Sequence, residues 1–426
     1  MPFMPFAILG LWFRGLLALG LLGGGIWLLT TWYDALPRVT PVVQTDPAGT
    51  RSPARPLSFG ERVAHWHPAL SWETAALGGG LLLVLVASGG GLLVVPLRWR
   101  SGPPVPLPSR ASSVEHVPGP DGTTLHLELY GPPEAPPLLV THGWGVTSAQ
   151  WYYLLQEMGE RFRLVVWDLP GLGRSTRPAT SDYSLDMMAQ ALDAILTFLG
   201  SRPVVLVGHS IGGMILLTLG RLFPATLANR VRGMVLAHTT YTNPVRTTAK
   251  HRLYTALQKP VLEPLLHLAI WLSPVLWLLN VLSYLNGSAH HSTARQSFAG
   301  TQTRQQVQFV TRCLLHTSPA VLARGMLGML RYDATTTLAT LEVPVLLVAG
   351  DQDTTTVPQA STFMRAAIPG AQLTTLTPAK HQGVLEHHAQ FAQAVTAFGE
   401  TCLRLGEEKT PRREGDTGES PDQLAR

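Results

Sequence analysis

Val204-Val205-Leu206-Val207-Gly208-His209-Ser210-Ile211-Gly212-Gly213 is the stretch from which the rest of the chain reads. Its four opening residues are apolar and mostly β-branched, the pattern of a strand buried on both faces of a parallel sheet. Gly208, Ser210 and Gly212 then form G-x-S-x-G, and an apolar run with helical spacing follows over 214–222. The result is a strand, a sharp turn and a helix, with one serine at the apex. A side chain at Gly208 or Gly212 would collide with neighbouring backbone in so tight a turn. The turn holds Ser210 strained, its hydroxyl exposed and a helix N-terminus just below it. In a chain with 40 glycines the bare pattern also arises by chance, as a structural turn with an inert serine. The flanking strand and helix give it weight.

Composition sets the frame. The 426 residues hold one large domain and an extra module. Hydrophobic residues make up 46% and charged ones 14%, which places part of the chain in lipid. The net charge of +5 is not gathered into a Lys/Arg block with interleaved aromatics, so no nucleic-acid partner is expected. Cys313 and Cys402 read as buried or free thiols rather than a disulfide. Neither C-x-x-C nor H-E-x-x-H occurs, and no metal or other cofactor is expected.

Residues 1–100 read as a membrane anchor with two transmembrane helices, over 15–33 and 74–97, both uncharged and long enough to span a bilayer. Trp27, Trp32 and Tyr33 suit the headgroup level. Gly20 and Gly24, with the glycine triplets 78–80 and 89–91, would let the two backbones approach closely. A cleaved signal peptide is the rival for the first run and a Gly-rich core helix for either. Arg98 and Arg100 abut the second run, whereas Arg38, Arg51, Arg55 and Arg62 are spread among acids. The positive-inside rule therefore puts both ends and the following domain on the cytoplasmic side of a multi-pass protein. Residues 101–112 form a proline-rich linker.

Beyond the linker, strands are expected over 113–117, 123–130, 136–141, 164–167, 204–207, 233–238, 345–349 and 372–376. Helical patterns lie between several of them, at 149–159 and 185–199 among others. The alternation predicts an α/β fold with a mostly parallel sheet covered on both faces, its chemistry beyond the carboxyl ends of the strands. There the unusual residues gather: His142-Gly143-Trp144, Asp168-x-Pro-Gly171-x-Gly173-x-Ser175, the serine turn, Gly350-Asp-Gln-Asp353, and His381 with Glu386 beyond it. In that order and over about 113–403, the chain resembles the α/β-hydrolase family.

The resemblance implies an α/β-hydrolase fold with a core over 113–238 and 332–403, and a helical cap over 239–331. It also implies a Ser, then Asp or Glu, then His order of catalytic residues. Ser210 is then the nucleophile, His381 the base, and Asp353 the acid that orients it, with Asp351 as rival. The family usually has glycine where this chain has Lys380. The backbone N–H groups of Trp144 and Ile211 are the implied oxyanion donors. His142, Gly143 and Trp144 are the implied substrate contacts. Of the 15 histidines, His142 and His209 read as structural in the first instance, and His387 and His388 as solvated.

Inside the cap, 264–286 carries no charge and is long enough for a third span. A third crossing would separate Ser210 from Asp353 and His381, so Pro260, Pro264 and Pro274 are expected to break it into short helices. These would pack on the core, dip into the bilayer interface, or line an acyl channel. Residues 404–426 read as a disordered tail. The reading that unites these features is a membrane-anchored serine hydrolase acting on a small-molecule ester or lipid with an apolar acyl group. Peptidase, thioesterase, C–C hydrolase, perhydrolase and acyltransferase chemistry, or a non-catalytic ligand-binding module, are the alternatives.

Overall fold

The structure is a computed structural model and describes residues 4–38, 55–66, 71–102, 111–158 and 160–408. Arg51, most of the expected linker and most of the expected tail lie outside these residues. Eight strands form one sheet: β1 (Ser113–Pro118), β2 (Thr124–Tyr130), β3 (Pro137–Thr141), β4 (Arg163–Trp167), β5 (Val204–His209), β6 (Val231–Ala237), β7 (Val345–Gly350) and β8 (Gln372–Leu376). The spatial order is β1-β2-β4-β3-β5-β6-β7-β8. Only β2 runs antiparallel, to β1 and β4; all other pairings are parallel.

The Val-Val-Leu-Val run lies at the centre because both of its faces are apolar. Val204 and Leu206 enter the core on one side of the sheet, Val205 and Val207 the core on the other. Each is at most 2% exposed, and burying such a side chain stabilises by roughly 2 kcal/mol.

The helices, in chain order, begin with α1 (Met4–Ala35), α2 (Phe59–Ala64) and α3 (Trp72–Arg98) ahead of the sheet. The core supplies α4 (Tyr152–Met158), α5 (Leu185–Phe198), α6 (Ile211–Leu222) and α7 (Pro224–Arg230). Between β6 and β7 lie α8 (His251–Leu257), α9 (Glu263–Trp271), α10 (Ser273–Leu285), α11 (Ser288–Ser297), α12 (Arg304–His316) and α13 (Pro319–Leu330). The last three are α14 (Pro358–Ala367), α15 (Gly383–Glu386) and α16 (His388–Glu408). Helix α16 carries regular structure to Glu408, so the first residues of the expected tail are helical.

Two expectations about proline and glycine need correction. Pro260 and Pro264 do not break the insertion: a π-helical turn at Gln258–Leu262 carries the helix past Pro260, and Pro264 sits in the first turn of α9. A wider turn accommodates the ring and its missing N–H, and the first turn needs no donor there. The bend is at Leu272, where α10 leaves the preceding helix by 92° just before Pro274.

In the hairpin, the close approach is between Gly25 and Gly80, where an added Cβ on either would lie about 3 Å from the other's carbonyl oxygen. Gly20 meets nothing within 4 Å. The second triplet turns away from α1 altogether: Gly90 and Gly91 pack on Leu285, Asn286 and Gly287 of the insertion, and Gly15 packs on Leu279. The apolar helices are therefore docked on α10. Arg62 of α2 closes the far end of the hairpin by donating to the carbonyls of Tyr33, Leu36 and Pro37 at and just beyond the end of α1. Helices α1 and α3 are long and apolar enough to cross a membrane.

Candidate active site

Ser210 caps α6 with φ +55°, a region that costs a non-glycine residue energy and lifts its side chain clear of strand and helix. Both flanking glycines are sterically required. A Cβ on Gly208 would come within 2.5 Å of the Gly212 backbone, and one on Gly212 within 2.4 Å of the Thr141 carbonyl oxygen. The strain is held by the Ser210 N–H donating to Ala237 and the Thr239 hydroxyl donating to the Ser210 carbonyl.

The structure brings Ser210, His381 and Asp353 together from three loops at the carboxyl ends of β5, β8 and β7. Ser210 Oγ lies 2.9 Å from His381 Nε2, and His381 Nδ1 lies 2.9 Å from Asp353 Oδ2. Asp351 lies elsewhere, its carboxylate accepting the Ala379 N–H at 2.8 Å. Asp353 is buried, and burial alone would raise its pKa. The charge of His381 and hydrogen bonds from His238 and His381 outweigh burial and hold the carboxyl below the usual range. It also accepts the N–H groups of Thr355 and Thr356 and the Thr356 hydroxyl. A carboxylate with this many donors stays ionised.

The backbone N–H groups of Trp144 and Ile211 find no acceptor among the described residues, although both residues are almost completely buried. Trp144 is fixed by its indole Nε1–H, which donates to Leu322 of α13 at 3.1 Å. The ring fills the space left by Gly325, where a Cβ would fall 2.0 Å from the indole.

His142, expected near substrate, is 0% exposed and faces away from the site. Its Nδ1 bonds the Gly143 carbonyl and its Nε2 accepts the Leu169 N–H, so it shapes the loop from behind. Gly143 and Trp144 do line the site. His387 and His388 are half-buried rather than fully solvated. His387 bonds the Pro378 carbonyl at 2.7 Å, and His388 stacks on Tyr153 with ring centroids 4.2 Å apart.

Three polar residues that the sequence did not single out complete the surroundings. Gln150 accepts the Gly143 N–H and donates to His209 Nδ1 and to Gln382, while His209 Nε2–H donates to the His381 carbonyl. One amide thus ties the Trp144 loop, the serine turn and the His381 loop together. Burial, with His381 and His238 nearby, keeps His209 neutral and well below the ordinary histidine range. His238, with φ +45° at the end of β6, places Nδ1 3.3 Å from Asp353 Oδ2. Its position beside β7 was the available signal, because adjacent strand ends share partners. For Gln150 and Gln382 the residue type gave none.

The cavity at Ser210 is about 80 Å³, walled by Gln296, Ser297, Val310 and Leu314 from the insertion. That is well below the volume of a typical ligand site, so the insertion leaves little room over the serine. No group of three or more His, Cys, Asp or Glu side chains able to hold a metal ion occurs among the described residues.

Comparison with known proteins points to the same fold. Residues 136–260 match the family model described as alpha/beta hydrolase fold. The protein named "Putative carbamate hydrolase RutD" of Stutzerimonas stutzeri (strain A1501) is 25% identical over 278 residues, covering 63% of this chain and 94% of that protein. The pimeloyl-[acyl-carrier protein] methyl ester esterase of Yersinia pseudotuberculosis serotype O:1b (strain IP 31758) is 24% identical over 270 residues, covering 62% and 93%. Among solved structures, a thermophilic esterase from Thermogutta terrifontis superposes with a TM-score of 0.55 at 20% identity, covering 68% of this chain and 99% of that one. The chain has the α/β-hydrolase fold, and residues 136–260 match that family's model. Its relatives support hydrolase chemistry.

Proposed function

We propose that the chain is a membrane-anchored serine hydrolase that cleaves a carboxylic ester with an apolar acyl group. The observation that carries the reading is the unbroken chain of hydrogen bonds from Ser210 through His381 to Asp353. Ser210 Oγ attacks the carbonyl carbon as His381 Nε2 takes its proton. The imidazolium that forms donates Nδ1–H to the ionised Asp353. The tetrahedral oxyanion accepts from the Trp144 and Ile211 N–H groups, which have no other acceptor among the described residues. His381 then returns the proton to the leaving alcohol, and water repeats the sequence on the acyl-serine. The apolar insertion supports an apolar acyl group, since Trp271 is 78% exposed and Leu268, Val275, Trp277 and Leu278 are exposed beside it. Helices α1 and α3 are read as the anchor, in a multi-pass arrangement with the hydrolase domain on the cytoplasmic side.

The test is a fluorophosphonate probe applied to membranes carrying the wild type and Ser210→Ala. Labelling should occur in the first and vanish in the second, and ester turnover should fall by at least roughly 10⁴-fold. Equal labelling of both would refute the assignment of Ser210. A panel of matched esters and carbamates read on the same membranes identifies the bond cleaved, and faster carbamate turnover would overturn the ester reading.

A further inference from the structure

At the end of α3, an open cavity of about 290 Å³ lies between that helix, α11 and the loop that carries His381. Arg98, Trp99, His291, Arg295 and Lys380 line it, and no carboxylate does. Among the described residues no carboxylate forms an ion pair with Arg98, Arg295 or Lys380. Glu386, the acid that acts on Lys380, is taken up by the N–H groups of Ala299, Gly300 and Thr301 and by the Thr301 hydroxyl. Lys380 donates to the Arg295 carbonyl at 2.9 Å, which holds its ammonium beside the Arg295 chain. Burial lowers the Lys380 pKa, Glu386 raises it, and Arg295 lowers it again. Three cations thus line one cavity with no carboxylate among them, Lys380 held by its hydrogen bond and Arg98 and Arg295 exposed, an arrangement that an anion would neutralise.

Position identifies the anion. Along α3 the outward residues Leu92, Leu93 and Leu97 are 82%, 69% and 85% exposed, a surface that suits hydrocarbon. It stops at Arg98, roughly 10 Å of helix rise beyond Gly91, where α3 touches the insertion. Trp99 follows, a residue type that sits at the headgroup level. We propose that this cavity binds the phosphate of an anionic membrane phospholipid. The proposal rests on the reading that α3 spans the bilayer. The Arg98 and Arg295 guanidinium forks match phosphate oxygens, and Lys380 adds a point charge. A bound headgroup joins α3, α11 and the residue next to His381, so the site links the membrane surface to the base.

The test uses the full chain in dodecyl maltoside micelles and reads the thermal unfolding midpoint. It is titrated separately with dioleoyl phosphatidylglycerol, dioleoyl phosphatidylcholine and inorganic phosphate. Phosphatidylglycerol should raise the midpoint saturably, and phosphatidylcholine should not. Arg98→Ala and Arg295→Ala should each raise the half-saturating lipid concentration about fivefold. The charge-keeping Arg98→Lys and Arg295→Lys should fall between wild type and the alanine variants, which controls for folding. Unchanged half-saturation in the double alanine variant, or an equal response to phosphatidylcholine, would overturn the site. Inorganic phosphate acting at the same concentration as the lipid would overturn the lipid source. Alkaline carbonate extraction of native membranes reads the anchor separately. Release of the wild type would overturn the membrane placement and the lipid with it. Retention without a lipid-dependent shift would overturn the cavity assignment alone.

Discussion

Gly325→Ala tests how the oxyanion loop is held. The new methyl would fall 2.0 Å from the Trp144 ring in its present seat, with two further ring atoms within 2.6 Å. Helix α13 is buried on this face and cannot retreat, so the indole must leave. Overpacking of this kind costs about 1–3 kcal/mol, and the lost Nε1–H bond to Leu322 adds about 1 kcal/mol. The larger effect is on the reaction. In the proposed mechanism Trp144 supplies one of the two N–H donors to the oxyanion, and losing one such donor costs roughly 10²–10³-fold in turnover. Turnover of a short-chain ester, normalised to the fraction of protein that fluorophosphonate labels at completion, should therefore fall about a hundredfold. The unfolding midpoint should fall in parallel. In a Trp144→Ala background the same substitution meets no ring, so Gly325→Ala should then be nearly neutral for stability, a strong coupling between contacting residues. Wild-type turnover and midpoint in Gly325→Ala, or simple additivity in the double variant, would refute the account.

Stability should depend on pH through the buried histidines. Burial lowers the pKa of His209, His238 and His142 from the ordinary 6.5, with Asp353 and Asp168 only partly opposing it for the last two. Their depressed folded values mean the unfolded chain binds more protons below pH 6.5, so stability is complete above that pH and falls as pH drops. The slope is about 1.4 kcal/mol per pH unit for each histidine. Asp353, also depressed, acts only near and below its ordinary value of 3.8, outside this window. Unfolding midpoints from pH 8 to 5.5 should be flat and then decline, His209→Gln should flatten the decline, and a level profile would contradict the burial argument. In the hairpin, Gly91→Val should separate α3 from the insertion, because an added Cβ lies 2.6 Å from the Leu285 carbonyl oxygen. Gly20→Val meets nothing and should leave the midpoint in detergent unchanged. Equal effects of the two would refute the docking of α10 on the hairpin.

The sheet was legible because its code is local. A strand buried on both faces must be apolar throughout, and a turn with backbone 2.4 Å from where a side chain would begin must be glycine. The placement of Ser210, His381 and Asp353 followed from chain order on a resemblance, and the geometry brings those three together without having been used to choose them. What escaped the sequence was side-chain direction. His142 and His209 flank the site in sequence and look alike. One turns its ring to the Leu169 N–H, and the other to the His381 carbonyl. His238 reached Asp353 from a different strand, a contact that no spacing along the chain encodes. The proline expectation failed for a related reason. The cost of an interior proline depends on whether the helix can widen locally, and that is decided by the turn at Gln258–Leu262.

The hairpin glycines carry the argument furthest, because identical residues serve different partners. Gly80 is small for the sake of Gly25, whereas Gly90 and Gly91, one spacing along the same helix, are small for the sake of Asn286, Leu285 and Gly287. Helix α10 therefore has a fixed seat on α3, and the chain leaves that seat through Gly287, whose φ of +83° turns it directly into α11. Helix α11 ends at Gln296 and Ser297, which wall the cavity over Ser210, and the Ser297 carbonyl accepts the N–H of Gln382, beside His381. Contacts therefore run without a break from α3 through α10 and α11 to the residues that wall the cavity at Ser210.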